Sequence, residues 1–484
     1  MRLYRHITHI ALIAILFFPA GVYAAPAQTP TELTAQINTI LKKYPKVIFA
    51  GDVRTSTGEI LFSKNATIES HPASNMKLFT TSAALATLGE DFTFTTTLYG
   101  ARPINGIVNS DLILYGRGDP TLMDTDIRTM VQALVAQGVK TINGSIVGDE
   151  SYLTGSMIPP GRTAADLQSY FGAEVSALSV YENLVSITIA PAKKVGSRAL
   201  ITSVLPSRAP FTIINTATTG GPKARSTFSI RRDPLTNIFR VSGVIPSKFR
   251  ATPYYFAVHD PALYATVLLR EALTQHGISV TGVVRTTSTP APRDTLVALA
   301  EVTSDPLTDI VTETNKRSNN LFAELLLRQV GRNSRTDTST QTDEALGIAA
   351  IQEYLKALGV PDGSVDIFDG SGLGRGQSAT PAAMTTLLGA LKDASYGDAL
   401  IASLPIGGVD GTLTRRFKGT SGAGTILAKT GTLNTVDTLS GIVRTLSGND
   451  IVFSLFTTHA AKSPQGKALV NSITLALSDY ASTH

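Results

Sequence analysis

The stretch His71-Pro72-Ala73-Ser74-Asn75-Met76-Lys77-Leu78-Phe79-Thr80-Thr81-Ser82-Ala83-Ala84-Leu85-Ala86-Thr87-Leu88-Gly89-Glu90 decides how the rest of the chain is read. Pro72 and Ser74 are helix-start signals and Gly89 is a stop signal. The residues between are apolar or small, so the spacing predicts a helix buried on nearly all sides. Ser74 and Lys77 lie three apart and share one face, with roughly 5–6 Å between Cβ atoms. A hydroxyl becomes a useful nucleophile when a base stands within hydrogen-bond reach. An amine is that base only where burial or a nearby cation lowers its pKa. A helix N-terminus adds N–H groups beside a developing anion. Ser-x-x-Lys alone occurs by chance in most chains of this length, so partners elsewhere must carry the argument.

The chain has 484 residues, 43% hydrophobic and 16% charged, which implies two to four folded domains and excludes disorder. Its formal net charge is +5, and no dense Lys/Arg stripe points to nucleic acid. It has no cysteine, so thiol catalysis, disulfides and Cys-zinc sites are excluded. No His-Glu-x-x-His occurs. His71, His259, His276 and His459 sit in no recognisable motif and read as packing residues. Residues 1–24 read as a secretory signal: Arg2 and Arg5, the apolar run Ile7 to Phe18, and Val22-Tyr23-Ala24 before the cut. The mature chain is then expected outside the cytoplasm, in the periplasm or extracytoplasmic wall space, with no transmembrane span.

Along the chain, a helix at 31–44 and strands at 47–50 and 59–62 precede the opening stretch. Phe92 to Tyr99 and 109–116 read as strands, Thr125 to Gln137 as a helix and Val139 to Gly148 as one strand. Gly116-Arg117-Gly118-Asp119-Pro120 lacks a phosphate-loop frame and reads as a turn. Short β-like segments separated by Gly, Pro and Ser fill 185–250. Asp260 to His276 is a helix. From 297 the first texture returns, with helices near 306–315, 319–330, 341–358, 381–391 and 396–404. Strands follow at 426–430, 439–445 and 451–458, then a closing helix at 464–477.

Two further motifs stand in this second part. Ser318-Asn319-Asn320 precedes an apolar helix, where Ser and Asn are good N-caps. It also offers a hydroxyl and an amide that can relay a proton and orient an amine. Lys429-Thr430-Gly431-Thr432 ends an expected strand. A strand edge offers backbone groups to an extended peptide, and Gly431 permits close approach. Lys429 would set a second cation near Lys77.

Ser-x-x-Lys, Ser-x-Asn and Lys-Thr-Gly in this order are the signature of penicillin-binding proteins and serine β-lactamases. The stretch Pro72 to Leu78 resembles the nucleophile segment of the class C low-molecular-mass penicillin-binding proteins, D-alanyl-D-alanine carboxypeptidases that also act as endopeptidases. Asp166 to Ala173 with Val175 to Leu178, Asp369-Gly370-Ser371-Gly372-Leu373, Leu404 to Leu413 and Ala428 to Leu433 carry the same resemblance, from about 45 to 460. Gly374-Arg375-Gly376-Gln377 departs from the Ser-Arg-x-Asn more common there.

The resemblance implies a multidomain α/β fold. A penicillin-binding/β-lactamase-like transpeptidase domain would span 26–90 and 298–484, with two nested β-rich inserted domains at 91–184 plus 251–297 and at 185–250. It implies Ser74 as acylated nucleophile, Lys77 as its base, and Ser318 and Asn320 as relay and orienting amide. Lys429, Thr430 and Thr432, with Gly431 between them, would bind the substrate carboxylate, and the N–H groups of Ser74 and Thr432 would form the oxyanion hole. The expected substrates are peptidoglycan stem peptides and cross-links, with β-lactams as covalent inhibitors and no cofactor. The competing functions are a β-lactamase or a catalytically inactive wall-binding or sensor protein. A class A β-lactamase needs Glu-x-x-Leu-Asn after the second motif; Glu344 and Glu353 lack that context. The intact motif residues argue against an inactive scaffold.

Overall fold

The computed structural model describes residues 27, 29–207 and 209–484; the expected secretory signal lies outside them. Among the described residues no helix is long and apolar enough to cross a membrane.

The first sheet has five antiparallel strands in the order Ile60–Lys64, Ile48–Thr55, Ile451–Thr458, Val436–Val443, Ile426–Leu433. Strands from the two ends of the chain therefore pair side by side. Val436–Val443 is buried at every position, as expected of a strand covered on both faces. Helices Pro30–Lys42 and Gln465–Ala481 pack together, and a core that includes Leu33, Ile37, Phe453, Leu469 and Ile473 joins them to the sheet. The other layer is built on Met76–Leu88, whose residues from Met76 to Leu85 are all buried. Helices Leu307–Arg317, Asn320–Asn333 and Asp343–Ala357 pack around it, and Pro381–Ala390 lies on the sheet beneath the same core, which includes Phe322, Leu326, Ile351 and Leu387. The small residues of Met76–Leu88 let these neighbours approach, and its hydroxyls bond inward. Thr80 donates to the Gly370 carbonyl at 2.7 Å and Thr81 to the Lys77 carbonyl at 2.6 Å.

A second five-stranded sheet, of mixed direction, runs Val284–Thr287, Ile146–Asp149, Leu112–Gly116, Thr95–Gly100, Val297–Thr303. Helices Asp124–Ala136 and Pro261–Gln275 share a core with it. The strand Val297–Thr303 pairs with Thr95–Gly100, so it continues the second sheet rather than beginning the return to the first. Val139 to Gly148 is two strands and not one. Thr141–Ile142 joins a small sheet and Ile146–Asp149 the second sheet, and Asp111 accepts the Ser145 N–H at 2.7 Å where the chain crosses. Residues 184–257 hold short strands in three small sheets. The strands Thr218–Gly220, Val244–Pro246 and Thr252–Ala257 are not among the segments expected from the sequence. The last contains Pro253 and is an edge strand, the place in a sheet that tolerates proline.

Phe453→Ala empties a fully buried position between the sheet and its outer helices. We expect a loss of about 3–5 kcal/mol, read as a lower denaturant midpoint; an unchanged midpoint would contradict this packing.

Candidate active site

Ser74 sits in the tight turn Ala73–Asn75 that leads into the helix Met76–Leu88. His71 braces the entering chain, accepting the Ala73 N–H on Nδ1 at 3.0 Å. Its Nε2 therefore carries the proton and donates to the Gly374 carbonyl at 2.9 Å. Burial lowers the His71 pKa, which favours this neutral ring. Asn75 reaches the first sheet, donating to the Ser440 hydroxyl at 2.6 Å.

Lys77 is fully buried one turn on. Its Nζ lies 3.1 Å from Ser74 Oγ, 2.6 Å from Asn320 Oδ1 and 2.6 Å from the Ser371 carbonyl oxygen. A neutral amine has two N–H donors and one lone pair. The two carbonyl oxygens take the donors, and the lone pair is left for the Ser74 hydroxyl. Burial pulls the Lys77 pKa down to about 7; Asp369 and Glu324 oppose this and Arg162 adds to it. The amine is thus poised to receive a proton near neutral pH.

The Ser318-Asn319-Asn320 motif divides its work. Asn319 is the N-cap of Asn320–Asn333, accepting the Phe322 N–H at 3.3 Å. Ser318 ends the preceding helix in the left-handed conformation, with φ 58°. Because Asn319 satisfies the helix end, the other two side chains turn to the lysines. Ser318 Oγ accepts from Lys429 Nζ at 2.7 Å, and Asn320 meets Lys77 while donating to the Phe171 carbonyl at 2.8 Å.

Lys429 is also fully buried, and burial together with the nearby Lys77 holds its pKa well below the ordinary lysine value. Its strand, Ile426–Leu433, runs three residues beyond the expected end, so Lys429 to Thr432 lie within a strand at the sheet edge. On the outer side Ala428 N–H bonds to the Pro405 carbonyl at 2.9 Å. Strand alternation then points the N–H groups of Thr430 and Thr432 outward as well. Thr430 donates to the Thr412 hydroxyl at 2.8 Å, and Thr432 donates to Asp437 at 2.9 Å. A Cβ on Gly431 would lie 2.2 Å from Thr438 Oγ1 and 2.9 Å from the Pro72 carbonyl oxygen. Only glycine lets this strand lie directly against the turn that carries Ser74.

A cleft lined by Tyr170, Phe171, Tyr255, Ser318 and Asn320 opens beside this cluster. A cavity of about 480 Å³ shares Tyr170, Phe171 and Tyr255 with it and adds Gln168 and Arg231. The sequence reading assigned no role to the side chains of Arg162, Glu324 and Asp369 that surround the Lys77 amine. Glu324 and Arg328 did leave a signal, as charges four apart that flank the apolar run Leu325-Leu326-Leu327.

A family model described as the D-Ala-D-Ala carboxypeptidase 3 (S13) family matches residues 33–478. The chain belongs to this family. It is a serine-type peptidase, and its fold is that of the penicillin-binding proteins. It is 32% identical over 494 residues to a D-alanyl-D-alanine carboxypeptidase of Actinomadura sp. (strain R39), covering 97% of this chain and 90% of that protein. It is 27% identical to the D-alanyl-D-alanine carboxypeptidase DacB of Haemophilus influenzae, over 88% of this chain and 89% of that one. The crystal structure of penicillin binding protein 4 (dacB) from Haemophilus influenzae superposes with a TM-score of 0.80 at 25% identity, covering 92% of this chain and 99% of that chain.

Asn319→Ala and Asn320→Ala separate cap from site. The first should cost about 1 kcal/mol of stability, read as a lower denaturant midpoint, with the rate of reaction at Ser74 little changed. The second should slow that reaction by about tenfold or more, with little loss of stability.

Proposed function

We propose that this chain hydrolyses the D-Ala-D-Ala end of peptidoglycan stem peptides, and D-Ala-linked cross-links, through an acyl-enzyme on Ser74. The observation that carries this reading is the Lys77 amine, whose two donors are taken by carbonyl oxygens and whose lone pair faces Ser74. Ser74 Oγ gives its proton to Lys77 Nζ and attacks the carbonyl carbon of the scissile amide. The N–H groups of Ser74 and Thr432 receive the oxyanion, each worth on the order of 3 kcal/mol. The C–N bond breaks, and the proton that Lys77 took from Ser74 passes through Ser318, held by Lys429, to the leaving amine, so that Lys77 is neutral again. The released group is D-alanine from a stem peptide, or the amine of the second stem from a cross-link. Water then attacks the ester, giving its proton to Lys77, which passes it to the departing Ser74 Oγ and restores the hydroxyl.

Lys429 meets the terminal carboxylate, and the Thr430 hydroxyl turns its proton from Thr412 to the arriving oxygen. Thr432 contributes its outward N–H, since its hydroxyl proton already goes to Asp437. The peptide runs antiparallel along the edge of Ile426–Leu433 as an added strand, with the rest of the stem in the cleft at Tyr170 and Phe171. Under this reading residues 26–90 and 298–484, less the strand Val297–Thr303 that pairs in the second sheet, form the catalytic unit, with the remainder inserted. The site of action is the extracytoplasmic wall space. A β-lactam presents its ring amide to the same hydroxyl, forms an ester on Ser74 and leaves slowly.

A fluorescent penicillin should label the protein at Ser74, and purified muropeptides should lose D-alanine or be cut at cross-links, both read by mass. Ser74→Ala should abolish adduct and products together; retained peptidase activity would refute the mechanism, and rapid β-lactam turnover would favour a β-lactamase. Acylation should rise with pH through about 7, as Lys77 loses its proton. Below that value the amine is protonated and cannot accept from Ser74, so the rate should fall about tenfold per pH unit.

A further inference from the structure

The loop between Ile146–Asp149 and the turn Asp166–Gln168 leaves the second sheet and docks on the helices around Lys77. Thr154 N–H donates to Asp343 at 2.7 Å and Ser156 N–H to Glu344 at 3.0 Å. Tyr152 and Leu153 pack on Leu321 and Leu325. Gly161, with φ +74°, lies where a Cβ would be 2.5 Å from the Arg375 nitrogen. This brings Arg162 into the protein interior with its side chain only 2% exposed. Its Nη2 donates to Glu324 Oε1 at 2.7 Å and to Ser371 Oγ at 3.0 Å, and its Nη1 faces Asp369 Oδ2 at 3.1 Å.

Asp369 organises the turn that Arg162 grips. Its Oδ1 accepts the N–H groups of Ser371 and Gly372 at 3.1 and 2.7 Å, and its Oδ2 that of Gly374 at 2.7 Å. Gln377 Nε2 donates to Asp369 Oδ1 at 3.1 Å. The product of this turn is the Ser371 carbonyl, which fixes one of the two donors of Lys77. The other arm of the clamp, Glu324, sits one helical turn after Asn320, which fixes the second donor.

We propose that Arg162 is a positioning residue for the Lys77 amine: from outside the catalytic unit it clamps Glu324 to the Asp369–Gly374 turn, setting both the Ser371 carbonyl and the charge that the amine meets. This rests on the reading of Lys77 as the base for Ser74. The charged and titratable groups around that amine are Arg162, Glu324 on its helix, Asp369 in the turn and Lys429 on the edge strand, with His71 beyond the turn. Burial and Asp369 raise the Glu324 pKa, so the balance among these groups is sensitive to losing any one. The device makes the segment outside the catalytic unit part of its acid–base machinery.

The test uses the whole mature chain and penicillin acylation, with total label at long times counting competent sites. Arg162→Gln should lower the first-order acylation rate per competent site about tenfold or more, with noncovalent affinity within about twofold. Arg162→Lys, which keeps the cation, should recover most of that rate. Glu324→Gln removes a negative charge while the cation stays, so the acid limb of the rate should move to lower pH. A wild-type rate per site in Arg162→Gln, with only fewer sites labelled, would show a purely structural role and overturn the proposal. So would an unmoved acid limb in Glu324→Gln, which decides the question if Arg162→Gln does not fold. Failure of the underlying reading looks different: label would persist in Ser74→Ala, or the wild-type rate would show no limb near pH 7.

Discussion

A charge on a fully buried amine is expensive, and the architecture around Ser74 follows from that expense. Holding the Lys77 pKa near 7 corresponds to a penalty on the order of 5 kcal/mol against the protonated form. A folded chain is stable by only about 5–15 kcal/mol, so such a penalty must be met by good hydrogen bonding of the neutral form. Two carbonyl oxygens and one hydroxyl supply it. The three come from three separate parts of the chain, and the helix, the turn at 369–374 and the Asn320 helix must all be in place before the amine is satisfied. Stability and acid–base function are here the same set of contacts.

The second lysine extends the argument. Lys429 is as buried as Lys77 and lowers its own charge for the same reasons, desolvation first and the neighbouring amine second. Two amines that disfavour each other's protonation form a site that welcomes an anion, since an arriving carboxylate offsets the cost of charging either one. The edge strand brings that anion-seeking group beside outward N–H groups, and Gly431 removes the one methyl that would hold the strand off the turn that carries Ser74.

The sequence was most legible where function is local. Ser74 and Lys77 share a helix face by spacing alone, and Ser318 to Asn320 announce a helix start. What spacing could not show was which residue of the second motif caps the helix. Asn319 does so, and its neighbours are thereby available to the lysines. The strands of the first sheet were readable from their apolar runs. No strand is expected at 297–303, where the first texture is read as returning, because pairing partners are chosen in three dimensions and nothing in its composition names Thr95–Gly100 as its neighbour. Val139 to Gly148 reads as one strand only if the turn signal Asn143-Gly144-Ser145 in its middle is passed over; the switch between sheets falls there, where Asp111 from upstream accepts the Ser145 N–H.

Arg162 was invisible for a related reason. An arginine in a polar, Gly- and Pro-containing loop is ordinarily solvated, and only the docking of that loop on Leu321 and Leu325 buries it. A buried guanidinium without partners would be destabilising, and a buried Glu324 beside Asp369 would be more so. Each therefore requires the others: the loop docks because its arginine finds two carboxylates, and the carboxylates are tolerated because the loop delivers a cation. Such mutual dependence can keep a long intervening segment tied to the first sheet and its helices, whose own strands pair without it. Loss of the segment would leave two acids facing each other beside an amine whose burial disfavours its charge.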